Sequence, residues 1–139
     1  AAEDEVIAAA SRAQLHEHID RMPKAYHTLI GERGLALSGG QRQRLNISRS
    51  LILNTKILIF DDSTSAIDAA TEQKIRVGLK EGAQDRITII ISHRLASLMH
   101  ANQIIYLKDR KISEKGTHEE LIQLGGHYSR IYHLQTSIK

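Results

Sequence analysis

Two apolar runs limit the folds open to this chain more than any other feature: Ile57-Leu58-Ile59-Phe60 and Ile87-Thr88-Ile89-Ile90-Ile91. Short, continuous runs of this kind read as strands covered on both faces. They predict strands over Lys56 to Phe60 and Arg86 to Ser92. Between them, Asp68 is placed to cap a helix running from about Ala69 to Glu81. Strand, helix, strand is a βαβ unit, so the two strands should be parallel with a right-handed crossover.

The flanking segments complete an α/β pattern. Glu3 to Ala13 opens with acidic residues and places Val6, Ile7 and Ala10 on one face, which predicts a helix. A second short helix runs to Arg21 and stops at the only proline, Pro23. Tyr26 to Ile30 reads as extended and 31–34 as a loop. Ser38 occupies an N-cap position before a helix from about Gly39 to Leu53, with Leu45, Ser48, Leu51 and Ile52 facing inward. After the second strand come a short helix over Leu95 to His100, a strand over Gln103 to Leu107, a turn at Asp109-Arg110 and a short strand near Lys111 to Glu114. Thr117-His118-Glu119-Glu120 is a capping box whose helix ends at Gly125-Gly126. A last helix covers Tyr128 to Gln135. The expected sheet has four strands, two of them short, and looks like part of a larger, mostly parallel sheet with flanking helices.

Composition removes several function classes. The chain has no cysteine, which excludes disulfide frameworks and thiolate metal sites. His16, His18, His127 and His133 lack the spacing of a zinc site. No apolar run approaches the roughly 20 residues that span a bilayer. The net charge of +3 is spread along the chain and aromatics are 4%, a poor basis for direct nucleic-acid binding.

Three segments carry chemistry. In Ser38-Gly39-Gly40-Gln41 the first helical N–H groups lack internal partners and the helix end is partially positive. Glycines admit an anion close to the backbone and Ser38 adds a hydroxyl, which makes an anion site; a tight turn with a serine cap is the alternative reading. Asp61 ends a buried strand, where open α/β sheets place ligands, and can hold Mg²⁺ through its waters. Asp62 beside it can orient or deprotonate a water, or both aspartates can simply cap a loop. His93 follows the second strand and should lie on the same edge, where it can meet a γ-phosphate oxygen or serve as an ordinary polar residue. No Gly-x-x-x-x-Gly-Lys-Ser/Thr phosphate loop occurs anywhere in the 139 residues.

Taken together, these segments resemble a known family, the ABC ATPases. Leu37-Ser38-Gly39-Gly40-Gln41-Arg42-Gln43-Arg44 resembles its signature motif and Ile57 to Asp62 its Walker B strand. Ser65-Ala66-Ile67-Asp68 is similar to its D-loop and Ser92-His93-Arg94 to its switch histidine. Thr28 to Gly34 resembles the X-loop of exporters, which would set Glu32 near the coupling helices of transmembrane domains. The resemblance implies a partial P-loop-NTPase-like fold, with a helical signature subdomain over 1–54 and the C-terminal part of the ATPase core over 55–139. It implies ATP and Mg²⁺ as cofactors, a place at the cytoplasmic face of the cell membrane, and a second nucleotide-binding domain, identical or different, as partner. Ser38, Gly39, Gly40 and Gln41 would close on the partner's ATP, while Asp61, Asp62 and His93 would face the ATP of this chain's own domain.

Two departures qualify that expectation. The adenine-stacking aromatic, phosphate loop and glutamine loop of the family would precede the first residue, so the isolated chain is expected not to bind ATP tightly or hydrolyse it. Asp62 stands where active members carry glutamate, which implies a degenerate site. Two other readings remain: a lobe of a DNA-repair or chromosome-structure ATPase, which predicts a heptad helix not seen over residues 3–34, and a non-enzymatic interaction module.

Overall fold

The computed structural model describes residues 1–31, 37–53, 55–62, 65–81 and 86–137. By compactness the chain divides into two units, Ala1–Ile89 and Ile90–Lys139. The boundary read from motifs, between 54 and 55, lies inside the first unit.

In the first unit α1 (Glu3–Arg12) and α2 (His16–Asp20) precede a 3₁₀ turn at Ala25–His27. They are followed by α3 (Gly39–Ile52), β1 (Ile57–Asp61), α4 (Ala69–Glu81) and β2 (Ile87–Ile91), whose last two residues fall in the second unit. The acidic start of α1 has a structural use, because the Glu5 carboxylate accepts from the Ala2 N–H at 2.8 Å. Ala9 and Ala10 are buried in α1, which packs on both α3 and α4; small side chains permit that close approach. The buried positions of α3 are Ile47, Ser48 and Leu51, so the inner stripe passes through Ile47, with Leu45 and Ile52 only half-buried. The extended segment expected at Tyr26 to Ile30 is instead a 3₁₀ turn at its start. The Tyr26 hydroxyl is hydrogen-bonded to His16 Nδ1 at 2.8 Å, and that anchor to α2 overrides the local strand preference of tyrosine.

β1 and β2 are hydrogen-bonded neighbours. The Ile87 N–H donates to the Lys56 carbonyl at 2.8 Å, so the strands start side by side and run in the same direction. Burial on both faces is not realised. Leu58 and Phe60 are 5% and 6% exposed, whereas Ile57 and Ile59 are 55% and 59% exposed, an alternation that leaves one face uncovered among the described residues. Ile87, Ile89 and Ile91 of β2 are likewise exposed.

The N-cap of α4 is Asp68, whose Oδ1 accepts from the Thr71 N–H at 2.9 Å. That bond, with a smaller contribution from the Thr71 side chain, lowers the Asp68 carboxyl below the ordinary aspartate value. A depressed carboxyl adds stability above its unfolded pKa and loses it as pH falls through the folded value. Helicity followed by circular dichroism from about pH 5 to about pH 2 should therefore include an acid-sensitive component from α4 that Asp68→Asn removes. An identical acid profile in the variant would refute the assignment.

The second unit contains a 3₁₀ turn at Leu95–Ser97, shorter than the helix expected there, then β3 (Ile104–Lys108), β4 (Lys111–Gly116), α5 (His118–Leu124) and α6 (His127–Ser137). β3 and β4 pair antiparallel in their own two-stranded sheet, with an irregularity at Tyr106/Leu107. The single four-stranded sheet expected from sequence is thus two sheets of two strands among the described residues. The cause is local: Asp109 and Arg110 both take positive φ, 51° and 63°, and close a two-residue hairpin that pairs β3 with β4. The Thr117–Glu120 capping box forms as predicted, with the Thr117 N–H donating to Glu120 Oε2 at 2.8 Å. Leu95, Ile104, Leu121 and Tyr128 make the core. Burial raises the Tyr128 hydroxyl above the ordinary tyrosine value, and that hydroxyl is hydrogen-bonded to His118 Nδ1 at 2.8 Å.

Candidate functional site

Ser38 caps α3 in extended backbone conformation, as its position before Gly39-Gly40 predicts. Its Oγ accepts from the Gln41 N–H at 3.2 Å, and its own N–H donates to Gln41 Oε1 at 2.7 Å. The Arg42 N–H returns to the Ser38 carbonyl at 2.9 Å. Within the first turn this leaves three donors without an intrahelical acceptor: the Ser38 hydroxyl proton and the Gly39 and Gly40 N–H groups. Ser38 is exposed and both glycines are half-buried. Three such donors at the positive end of a 14-residue helix suit the oxygens of a phosphate group.

The second half of the motif holds this end in place. Gln41 has its carboxamide turned back on the cap, and its Nε2 lies 3.3 Å from His18 Nδ1. Arg42 donates to the Leu37 carbonyl at 3.1 Å, and Arg44 reaches the Gln14 carbonyl between α1 and α2. Gln43 Nε2 donates to Ser65 Oγ at 3.0 Å while its Oε1 accepts from the Ala66 N–H at 3.0 Å. The loop after β1 is therefore fastened to α3. Gly40 makes that possible, since a Cβ there would stand 2.8 Å from the Ala66 carbonyl oxygen.

Asp61 is the last residue of β1 and is exposed. Asp62 follows with φ 46°, a left-handed conformation that aspartate tolerates better than most residues, and its carbonyl accepts from the Ser65 N–H at 3.3 Å. Strained backbone at the end of a strand is where functional side chains gather. Asp61, Asp62, Ser65 and the donors of Ser38 to Gly40 all belong to the first unit, as does Asp68, which is used as the cap of α4. His93 is exposed in the second unit, two residues past β2. Its carbonyl accepts from Gln135 Nε2 at 2.8 Å, and the Leu95 N–H donates to Gln135 Oε1 at 3.0 Å. Glu32 lies outside the described residues.

Sequence reading missed His18, Gln43 and Gln135. Gln43 sits inside the quoted motif, and a polar residue within a helix that packs on other elements was an available signal. His18 and Gln135 gave none, because their partners lie 23 and about 40 residues away in sequence. Among the described residues no group of three or more His, Cys, Asp or Glu side chains could hold a metal ion by itself. Asp61 offers one exposed carboxylate at the end of β1, a donor suited to an ion that takes its other ligands from water and phosphate.

Residues 1–65 match the family model described as ABC transporter. The chain is 50% identical over 132 residues to an uncharacterised ABC transporter ATP-binding protein, YknU, of Bacillus subtilis strain 168, covering 95% of this chain and 23% of that one. It is 42% identical over 135 residues to an ATP-dependent lipid A-core flippase of Legionella pneumophila strain Paris, covering 97% and 23%. A bacterial Atm1-family ABC exporter solved with ATP bound superposes with a TM-score of 0.91 at 41% identity, over 97% of this chain and 24% of the exporter chain. The chain belongs to the ABC transporter family. It spans about a quarter of the length of these relatives. The relatives named are transporters and flippases, which favours the ABC exporter reading over that of a DNA-repair or chromosome-structure ATPase. Among the described residues no helix is long and apolar enough to cross a membrane.

Proposed function

We propose that this chain is the C-terminal part of the ATP-binding and ATP-hydrolysing domain of an ABC exporter, and that the N-terminus of α3 clasps the terminal phosphate of an ATP held by a second such domain. The observation that carries this is the donor set of Ser38 Oγ–H, Gly39 N–H and Gly40 N–H, together with family membership. The 139 residues hold no phosphate loop, so the bulk of the triphosphate contacts must come from outside them. On this reading residues 1–54 form the signature-bearing part and residues 55–139 the core part, with Glu32 facing the coupling helices of the transmembrane domains at the cytoplasmic face of the membrane.

The chain's own side chains divide the work. The Ser38 hydroxyl and the two glycine N–H groups donate to the γ-phosphate oxygens of the facing ATP and stabilise the charge that spreads over them. Asp61, with Asp62 beside it, would hold Mg²⁺ through its waters in the other site, where the ion neutralises developing phosphate charge. Asp62 orients the attacking water and accepts its proton at a carboxylate oxygen. His93 donates to a γ-phosphate oxygen there. Closure and release of the paired domains would then drive export.

In the complete transporter, Ser38→Ala should lower turnover at the facing site on the order of 100-fold, the scale for loss of one preorganised donor. Steady-state ATPase assays of the purified transporter measure it. The 139-residue chain by itself should show no thermal shift on titration with ATP. Unchanged turnover in Ser38→Ala would count against the clasp.

A further inference from the structure

We infer that Gln135, on the last helix, is the positioning residue for His93. The inference rests on the proposed role of His93 and goes beyond it. All the groups involved lie in the second unit. The segment Ser92 to Leu95 leaves β2 with little regular structure to hold it: the Arg94 N–H donates to Ser92 Oγ at 3.0 Å, and the 3₁₀ turn starts only at Leu95. Gln135 reaches across from α6 and takes two backbone groups that flank this bend. Its Nε2 donates to the His93 carbonyl at 2.8 Å and its Oε1 accepts from the Leu95 N–H at 3.0 Å.

A carboxamide answers both from two separate atoms. It must present a donor to a carbonyl and an acceptor to an N–H two residues away, which also fixes which end of the amide is oxygen. Glutamate has the same shape but sets a carboxylate oxygen against the His93 carbonyl, so it repels where glutamine bonds. Gln135 is thus a clamp on the backbone that carries the His93 side chain, not on the side chain itself. α6 is anchored at its other end by Glu114, whose carboxylate accepts from the His127 and Tyr128 N–H groups. The clamp therefore stands on a fixed support.

The test uses the complete transporter with its facing site disabled, so that kcat reports the site that contains His93. Gln135→Met, which keeps the length and loses both bonds, should lower kcat roughly tenfold with KM nearly unchanged, as expected for a reacting group moved by a fraction of an ångström. Gln135→Glu should lower it at least as far. In a His93→Ala background the same Gln135→Met substitution should change the residual kcat by less than about twofold, because the two residues act as one unit. Hydrogen exchange of the Leu95 amide should accelerate about tenfold in Gln135→Met while the α5 amides keep their protection. Equal losses from Gln135→Met with and without His93, or no loss at all, overturn the positioning role and leave the reading of His93 standing. If His93→Ala itself has full activity, the reading of His93 fails and the positioning role falls with it.

Discussion

Asp62→Glu, placed in the complete transporter, is expected to raise hydrolysis at the proposed site that holds Asp62, by on the order of 100-fold. Asp62 follows β1 directly, and its backbone is held by the left-handed turn and by the Ser65 N–H bond to its carbonyl. The carboxylate therefore cannot advance by backbone movement to make up for a short side chain. One methylene more carries it forward by roughly a bond length, and misplacement on that scale is worth about two orders of magnitude in rate. The gain has a cost in stability, since glutamate tolerates positive φ less well than aspartate; about 1 kcal/mol is expected. Single-turnover hydrolysis in a transporter whose other site is disabled separates the effect from the facing site. Equal or slower hydrolysis would show that the aspartate is not what limits this site.

Glu114→Ala is expected to destabilise the second unit at the start of α6. Glu114 is 8% exposed, and its two carboxylate oxygens accept from the His127 and Tyr128 N–H groups, the first donors of α6. A negative charge at that end of a helix is favoured by the dipole, and without it the buried Tyr128 N–H and the half-buried His127 N–H would both lose their acceptor. Gly126 admits this approach, because a Cβ at that position would overlap the carboxylate. Loss of about 3 kcal/mol is expected, and Glu114→Gln should lose less, because it keeps one acceptor. Hydrogen exchange of the His127 and Tyr128 amides reads the effect directly. Protection equal to that of the native chain in Glu114→Ala would mean that the cap contributes nothing.

Several parts of the candidate site were legible because they are local. Ser38 with Gln41, and Thr117 with Glu120, satisfy helix-end donors three residues away, so four-residue patterns predicted both caps. Asp68 before α4 and Gly125 after α5 follow from the same short-range rules. The order of α3, β1, α4 and β2 was equally readable, because each is set by its own hydrophobic period. Gln41 shows the limit of such reading: its pattern marked it as part of an anion site, but its carboxamide closes the cap and meets His18.

By itself the sequence determined the long helices and the strands, where the helices are capped, and which chemical groups stand at the strand ends, since those depend on neighbours within one or two turns; it did not determine the 3₁₀ turns at Ala25–His27 and Leu95–Ser97. Tertiary structure alone decided that Gln43 fastens Ser65 and Ala66, that Gln135 brackets His93, and that Glu114 caps α6, because each bond joins groups 13 to 42 residues apart. It also decided which face of β1 is covered. An apolar run states that burial is favourable, but only a second layer settles where the burial occurs.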